Sequence, residues 1–520
     1  MSLLLSPMAK SGTADFYNGV VETSVRLAGD SYLTLDNAGS ATGTQKCTLS
    51  CWFKRTELTV LSNIFHSAND SGSASFGISL DAADTISVTQ YSGASPFDAA
   101  AYDFGVTVAP IKFRDTSAWY HLVVTIDTTE AAEADRIKIY INGTRQTVVA
   151  TNEGSGLQDF ADEDQTVASF QDGEQRWGAT VDDSYMAHIY LAECNGVDGL
   201  ALDASYFGET KNGVWIPIAP NVSEYGNHGF RLQFTSTAHD APASLGSADT
   251  DNIGADSSGK NNHFTAVDAI GTHDCAMPDS PENNFAHFNS LQSGSGLQNV
   301  PGALTDGNLK ATTASGGFYT LGNWYLTSGV WYWEYLYLSK GSNHFFGMYD
   351  ILANVGRGWD SYDGGNINAG NTLSGGSLAQ GDIIGIIMDL DGETLKCHVN
   401  GTLEATYSFT NNGRGYTPFI GKTSSSGGDV IVLNHGQDGT FVGNKTAQGN
   451  TDANGQGNFF YEPSAGLAMC TFNIAEPTIG PNSDTQVDDN FTPYLWTGNG
   501  SNPRAFTDVG FQADWIWIKK

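Results

Sequence analysis

The chain is poor in basic residues. Of its 520 residues, 24 are Lys or Arg and 57 are Asp or Glu, so the formal net charge is −33 at pH 7. No basic stripe offsets the repulsion from phosphates, and this excludes nucleic acid as an expected partner. Two interpretations of the acidic excess stay open, a solubilising surface and a surface that binds calcium, and the first is favoured.

Long apolar runs and helical periodicity are also lacking. Because no run of 18 apolar residues occurs, we expect no membrane insertion. The opening MSLLLSPMAKSG has an apolar patch without a basic region before it, so no signal peptide is predicted. The longest amphipathic window, around 201–207, covers about two turns. We therefore expect helix in less than about a tenth of the residues.

Cysteine is scarce, and no two cysteines have the C-x-x-C spacing. The six residues are Cys47, Cys51, Cys194, Cys275, Cys397 and Cys470. Cys47 and Cys51 lie in the alternating stretch KCTLSCWFK, which places them on one face of a strand roughly 13 Å apart, beyond disulfide reach. No spacing with histidine indicates a metal site. We expect buried or free thiols and assembly in a reducing cytoplasm.

Period-two alternation is what the chain has in abundance. Apolar and β-branched residues alternate over 121–127 and 136–141, which predicts two half-buried strands. Asn142-Gly143 then supplies the positive φ angles of a tight hairpin, and Asn400-Gly401 ends a matching strand further on. With 61 glycines, the composition indicates an all-β chain, and its length predicts roughly three or four domains.

The first of these hairpins resembles the laminin-G-like module of the concanavalin A-like family. In that module a Trp-x-His strand precedes a strand that ends in Tyr-x-Asn-Gly. The matching positions are Trp119, Tyr120, His121, Tyr140, Asn142 and Gly143. SYLTLDN, CTLSCWFKR and YMAHIYLAE resemble further strands of the module. The resemblance implies a jelly roll over 16–220, preceded by an N-terminal arm at 1–15.

A second module follows a polar connector at 221–300, where YGNHGFRLQF predicts an extra strand. GVWYWEYLYLS, GDIIGIIMDLDGETLKCHVNGT, YTPFIG and VIVLNHGQDGTF resemble the strands of a SPRY domain, in order, over 301–474. Residues 475–520 resemble the start of a further β module, and the strand-like DWIWIKK needs another subunit or a longer chain to pair with. The expected fold is tandem antiparallel β-sandwiches with very little helix.

The order of these phrases resembles phage virion structural proteins of the tail-fibre or head-fibre type. This resemblance implies assembly in the host cytoplasm, a place in the virion, other virion proteins as partners, and a homotrimer. It also implies lectin-like surfaces that attach to host cell-surface carbohydrate. Each such site is expected to be weak and to gain strength from several copies.

Catalytic patterns are not found. Glycanases of this fold present carboxylates at alternate strand positions, and the nearest approach is Asp389, Asp391 and Glu393 in MDLDGE, better explained as a hairpin turn. No G-x-S-x-G, H-E-x-x-H or Walker A motif occurs. His121 is interpreted as a packed structural group, and Trp119 and Tyr120 as core and rim aromatics. We expect no enzyme activity.

Loops at the sheet edges are the predicted ligand sites, at 91–97 and 359–368. The second loop, WDSYDGGNIN, combines rings and polar groups suited to sugars: Trp359, Asp360, Tyr362, Asp363 and Asn366. An ordered glycine-rich loop without a ligand is the alternative. No cofactor is predicted, and calcium stays open. The rival functions are a purely architectural decoration or connector protein and, less favoured, a glycan depolymerase.

Overall fold

The computed structural model describes most of the chain between residues 16 and 517. The described residues are 16–69, 74–91, 102–150, 160–236, 252–268, 276–291, 304–313, 318–340, 345–351, 353, 355–360, 372–374, 378–411, 413, 415–422, 428–475, 489–497, 500, 509–512 and 515–517. The fold is nearly all-β, with 44% strand and 3% helix, so the predicted fold class is confirmed. Within the described residues no helix has the length and apolarity needed to cross a membrane.

The first sandwich is built from strands that alternate inward and outward residues. Its strands are β1 Ser24–Ala28, β2 Ser31–Asn37, β3 Lys46–Arg55, β4 Ser62–Asn69, β5 Ser75–Leu80, β6 Ile86–Tyr91, β7 Tyr102–Val108, β8 Tyr120–Asp127, β9 Ile137–Ile141, β10 Thr144–Arg145, β11 Val148–Ala150, β12 Gly173–Trp177, β13 His188–Asp198, β14 Gly208–Lys211, β15 Val214–Pro217, β16 Phe230–Leu232, β17 Thr265–Asp268 and β18 Ala276–Met277. One sheet has the order β10-β9-β8-β3-β13-β1-β18, with β16 also paired to β13. The other has the order β11-β7-β6-β5-β4-β12-β2-β17, while β14 and β15 form a separate hairpin.

The second sandwich has the same two-layer plan. Its strands are β19 Leu304–Thr305, β20 Lys310–Thr312, β21 Phe318–Leu321, β22 Val330–Ser339, β23 Phe345–Asp350, β24 Val355–Asp360, β25 Thr372–Ser374, β26 Ile383–Asp389, β27 Thr394–Val399, β28 Thr402–Ser408, β29 Tyr416–Lys422, β30 Val430–Asn434 and β31 Leu467–Ala468. One sheet has the order β19-β20-β30-β22-β26-β27-β28, with β31 parallel to β22, and the other β21-β29-β23-β24-β25.

Helix is confined to single turns among the described elements. The α-helix α1 spans Glu133–Arg136, and 3-10 turns lie at Ala204–Tyr206 and Thr471–Asn473. The alternation of the sequence predicts a strand that begins at Arg136, and this boundary is wrong. Arg136 is the last residue of α1, and β9 begins at Ile137. The Arg136 guanidinium bonds to the carbonyls of Glu130 and Ala161. These bonds hold the residue in the turn before the strand.

Strand β3 shows how the core is made and what lies behind it. Leu49, Cys51 and Phe53 point into the core between the two sheets. The residues between them, such as Trp52 and Lys54, belong to the opposite face, yet they too are buried. The outer face of this sheet is therefore covered, by segment 16–21, segment 198–225 and segment 279–287.

Both Asn-Gly pairs form the predicted tight turns. Asn142 and Gly143 have φ of 47° and 77°, and Asn400 and Gly401 have φ of 49° and 80°. Ile141 pairs with Thr144 across the first turn and Val399 with Thr402 across the second. Each turn therefore needs two consecutive residues at positive φ, which Asn and Gly tolerate best.

The two sandwiches pack directly on one another. Arg26 of β1 forms an ion pair with Asp438 of the second sandwich at 2.9 Å, and both side chains are almost fully buried. Thr56 accepts a hydrogen bond from the side chain of Asn308 at 3.2 Å, and Tyr190 donates to the carbonyl of Gly307 at 3.4 Å. The connector contributes β16, β17 and β18 to the first sandwich. The junction between the modules is thus a packed interface.

The described cysteines are free and buried, as expected: Cys47, Cys51, Cys194, Cys397 and Cys470. Burial raises the pKa of the Cys47 thiol to about 12 and that of Cys470 to about 12. Thiols with such pKa values are unreactive near neutral pH. Cys275 lies outside the described residues.

Candidate functional site

An aromatic cleft of about 510 Å³ opens where the outer face of the first sandwich meets its covering segments. Its lining residues are Tyr17, Trp52, Trp119, Asn142, Thr144, Thr210, Gly213, Val214, Trp215, Pro281, Asn284 and Thr471. Three tryptophans from β3, from the residue before β8 and from β15 thus converge on one place. Aromatic rings together with amide and hydroxyl groups are typical of a small-molecule site.

Three stacked rings form one side of the cleft. The Trp52 ring lies 4.8 Å from the His121 ring at an interplanar angle of 27°. The centroid of the Trp215 ring lies 5.9 Å from that of His121, at an interplanar angle of 23°. Trp52 and His121 face outward from neighbouring strands because Trp52 pairs with His121 in the register of β3 and β8. The hairpin β14–β15 adds Trp215.

His121 is held in place by both ring nitrogens. Its Nε2 lies 3.0 Å from Ser50 Oγ, and its Nδ1 accepts a hydrogen bond of 3.0 Å from Trp215 Nε1. Its backbone N–H donates to Asn142 Oδ1 at 2.8 Å. Burial lowers the pKa of His121 to about 3, so the imidazole is neutral at physiological pH. The residue positions aromatic rings and is not placed as an acid or a base.

Trp119 is anchored on the opposite side of the cleft. Its indole N–H donates to Asp279 Oδ1 at 3.1 Å, and Asp279 also forms an ion pair with Lys54. The Lys54 ammonium lies 5.6 Å from the Trp119 ring centroid and 4.9 Å from that of Tyr190. Desolvation lowers the pKa of Lys54 and raises that of Asp279, and the ion pair opposes both shifts. This buried pair therefore fixes the orientation of Trp119.

Segment 16–21, which precedes β1, supplies Tyr17. Glu282 accepts hydrogen bonds from the backbone N–H groups of Gly19, Val20 and Val21 at 2.9, 3.0 and 3.1 Å. These three bonds fasten segment 16–21 to segment 279–287. Tyr17 consequently reaches the cleft from a part of the chain far from the other rings.

The floor of the cleft contains one unusual donor. Trp52 is 4% exposed, and its indole N–H has no acceptor among the residues that the structure describes. Buried donors are nearly always paired with protein or with water. The Trp52 N–H is instead a buried donor without a protein acceptor among the described residues.

The sequence-predicted loop residues fall largely outside what the structure describes. Trp359 and Asp360 end β24, where their backbones pair with Phe346 and Phe345. Their side chains lie outside the described residues, as do Tyr362, Asp363 and Asn366 and the loop at 92–97. The ligand role given to this loop stays a prediction.

Two of the residues that line the cleft, Trp119 and Asn142, belong to the laminin-G-like pattern found in the sequence. They were interpreted there as structural residues. Trp52, Trp215 and Tyr17 were missed as a group, since 198 positions separate the outermost two in the chain. A tryptophan in the short stretch NGVWIP was the available signal, because a two-stranded hairpin of its own cannot bury such a ring.

Other site chemistry is restricted in the described part of the chain. No group of three or more His, Cys, Asp or Glu side chains is arranged there to hold a metal ion. In the MDLDGE turn between β26 and β27, the backbone N–H of Gly392 donates a hydrogen bond to Asp389 Oδ1 at 2.6 Å. This bond is the turn geometry expected from the sequence.

The cleft lies partly within a region that matches a known family. Residues 27–189 match the family model of the concanavalin A-like lectin/glucanases superfamily. The part of the first sandwich between residues 27 and 189 is thus similar to a laminin G-like, concanavalin A-like domain. Trp52, Trp119 and Asn142 fall inside the matched residues, whereas Tyr17 and Trp215 fall outside. No curated protein matches the chain.

The chain also matches solved structures, three of which are the following. The SPRY domain of human HERC1 is 18% identical, with 24% of this chain and 87% of that chain covered and a TM-score of 0.20. Domains LG4-5 of the mouse laminin alpha1 chain are 10% identical, with 83% and 92% covered and a TM-score of 0.26. A Bacteroides ovatus protein described as carbohydrate binding is 13% identical, with 48% and 58% covered and a TM-score of 0.28.

Proposed function

We propose that this chain is a phage virion structural protein of the tail-fibre or head-fibre type that attaches to host surface carbohydrate through the aromatic cleft. The observation that carries the binding role is the convergence of Trp52, Trp119 and Trp215 on one cleft. Two of these rings are fixed by indole hydrogen bonds, to Asp279 and to His121. A site with fixed rings loses little conformational entropy when a ligand binds.

The chemistry of the cleft matches that of a sugar. A pyranose ring has an apolar face of C–H groups and an equatorial edge of hydroxyls. Trp119 and Tyr17 offer half-buried rings to the first, and Asn142, Thr144 and Thr210 offer exposed polar groups to the second. Single sites of this kind bind weakly, so several copies on one particle are needed for firm attachment.

A glycan array tests the binding role. We expect the full chain to bind a subset of printed oligosaccharides, and Trp119→Ala to lose that binding because a wall of the cleft is removed. Trp496→Ala is the matched control, since Trp496 is 42% exposed and does not line the cleft. Equal binding by all three proteins would place the glycan elsewhere on the molecule.

The virion assignment rests on the order of the phrases that resemble phage structural proteins. It puts the chain in the assembled particle, in contact with other virion proteins. Mass spectrometry of purified particles from an infected culture would detect the chain in stoichiometric amounts. Its confinement to the soluble lysate would contradict the assignment.

We further propose that the cleft binds without cleaving. No carboxylate is present among the described residues that line it, whereas glycoside hydrolysis ordinarily requires a pair of them. A reducing-end assay with the oligosaccharides that bind on the array should show no release of new ends. Release that Trp119→Ala abolishes would make the protein a depolymerase.

An architectural role in the virion is the second candidate. Its support is the exposed apolar group at the end of the described chain, where Trp515, Ile516 and Trp517 are 76%, 71% and 78% exposed. Exposed apolar groups of this size favour contact with a protein. We propose that they contact neighbouring copies in a homotrimer. Light scattering of the full chain and of a version truncated before Asn490 should show a trimer and a monomer, and two monomers would contradict this.

A further inference from the structure

The aromatic cleft is free of charge in a highly charged molecule. None of the described residues that line it is Asp, Glu, Lys or Arg, although the chain has 57 acidic and 24 basic residues. Its polar groups are amides and hydroxyls, which serve as donors or acceptors for neutral partners. A ligand with a charge would therefore find no opposite charge in the cleft.

Two charged groups behind the walls of the cleft, Lys54 and Glu282, are already engaged. Lys54 forms its ion pair with Asp279 and donates to Asn284 Oδ1 at 3.0 Å, and its side chain is fully buried. Glu282 accepts hydrogen bonds from the backbone N–H groups of Gly19, Val20 and Val21. Lys54 is thus unable to serve as a partner for a ligand carboxylate unless it leaves Asp279 as an unpaired buried charge, which is costly.

The rest of the molecule adds to this discrimination. A net charge of −33 gives the surface a negative potential that repels anionic ligands at low salt. Within the cleft, a carboxylate, sulfate or phosphate would lose water without gaining a counter-charge. Rejection of a competitor by an unpaired, desolvated charge is an established route to specificity.

We propose that the cleft selects uncharged saccharides and excludes acidic ones that carry uronic acid, sialic acid, sulfate or phosphate groups. The inference rests on the proposed function, namely that this cleft binds carbohydrate. Neutral hexose and N-acetylhexosamine structures belong to the class of ligand that the cleft would admit. Binding should also depend little on ionic strength, because no ion pair forms on binding.

The test uses matched pairs of oligosaccharides and the full chain. Neutral oligosaccharides of glucose, galactose, mannose or N-acetylglucosamine are each compared with a version bearing a terminal uronic or sialic acid. Titration calorimetry at low salt should show that the acidic member of each bound pair is at least about tenfold weaker, which corresponds to about 1.4 kcal/mol. Affinity for the neutral member should stay the same at high salt.

A variant that adds a positive charge makes the test two-sided. Thr210 is exposed at the rim of the cleft, so Thr210→Lys should bring the acidic members closer in affinity to the neutral ones and make their binding salt-dependent. Thr402→Lys is the matched control, because Thr402 is exposed on β28 of the second sandwich. This control should keep the wild-type preference.

The outcomes separate this inference from the function on which it rests. One outcome is that acidic saccharides bind at least as tightly as neutral ones and that Trp119→Ala loses this binding. This outcome overturns the selectivity and leaves the carbohydrate role in place. Binding of no saccharide of either kind overturns both. Neutral selectivity that survives in Trp119→Ala also overturns the inference, since it would then belong to another site.

Discussion

In each sandwich the Asn of the Asn-Gly turn is hydrogen-bonded to the backbone of one residue on the strand that precedes the hairpin. We call this pair of hydrogen bonds the hairpin clamp, and the residue it holds differs between the two sandwiches. In the first, Asn142 accepts a hydrogen bond from the backbone N–H of His121 at 2.8 Å. In the second, Asn400 accepts one from the backbone N–H of Ile383 at 3.0 Å. The backbone N–H of each Asn also donates to the carbonyl of that same residue, at 2.9 and 2.8 Å. The local geometry is therefore repeated in both modules.

An aromatic ring from a covering segment lies against each hairpin glycine. A Cβ atom at Gly143 would lie 2.3 Å from Trp215, and one at Gly401 would lie 2.9 Å from Tyr461. Both glycines therefore serve two purposes, the positive φ of the turn and the close approach of a ring. The first contact is the tighter of the two, and the Trp215 ring is also held by its hydrogen bond to His121.

The residue under the clamp decides what the outer face becomes. His121 bonds to Ser50 and Trp215 and stacks with Trp52, which leaves an aromatic cleft beside it. Ile383 instead packs in an apolar cluster with Leu336, Val432, Phe441 and Val442. One backbone motif thus supports a polar, ring-lined site in one module and apolar packing in the other, and the difference lies in side-chain chemistry.

The largest effect is expected where the two sandwiches meet. Arg26→Met leaves Asp438 buried without its cation, and loss of one partner of a buried pair costs about 3 to 5 kcal/mol. Urea unfolding should shift by this amount and separate into two transitions. The double variant Arg26→Met with Asp438→Leu should recover part of the loss. A single unshifted transition in Arg26→Met would show that the modules do not depend on this pair.

Valine at the two hairpin glycines compares the clamps directly. Gly143→Val and Gly401→Val should each destabilise by about 1 to 3 kcal/mol, because L-residues avoid these φ values. The cost should be greater at Gly143, where the new Cβ meets the fixed Trp215 ring. Denaturant melts of both variants measure the difference. Unchanged melting of both would mean that the turns tolerate side chains.

Replacement of His121 by isoleucine, the residue at the equivalent position of the second sandwich, tests what this side chain contributes. His121→Ile removes the acceptor of the Trp215 indole N–H and the partner of Ser50, and an unsatisfied buried group costs about 1 to 3 kcal/mol. We expect a loss near the lower end, since isoleucine regains apolar burial. Glycan affinity should fall as Trp215 loses its fixed position. An Ile variant with native affinity would show that the stack does not position the cleft.

The smallest expected change is in the pH dependence of stability. His121 has a folded pKa of about 3 against an ordinary 6.5, so its contribution is complete above pH 6.5 and declines as the pH falls toward 3. Buried Glu334 has a folded pKa raised to about 7 by desolvation, against an ordinary 4.5. Its contribution is greatest below pH 4.5 and is lost as the pH rises through 7.

The two groups therefore oppose each other between pH 4.5 and 6.5. Urea midpoints measured across this window should decline less steeply with acidification in His121→Phe than in the wild type. Glu334→Gln should decline more steeply, because the compensating proton uptake by the folded state is removed. Parallel profiles for all three proteins would assign the pH dependence to other residues.

The sequence predicted the cleft only in fragments. Trp119, His121 and Asn142 were recognised as parts of one strand pair, and their alternation correctly separates core residues from the opposite face. That face was expected to be half-buried at most. It is covered by hairpin β14–β15 and segment 279–287, whose attachment depends on Asp279 and Glu282 bonds to distant residues. Residue periodicity contains no information about such covering.

By itself, the sequence determined the strands, the two Asn-Gly turns and the free state of the described cysteines. These features depend on neighbours in the chain, through backbone sterics, alternation with period two and the spacing of Cys47 from Cys51. Only the tertiary structure decided that Arg26 meets Asp438, 412 positions away, and that Tyr17 joins Trp52, Trp119 and Trp215. Charge pairing and ring packing depend on distances in space, and those distances are set when the whole molecule folds.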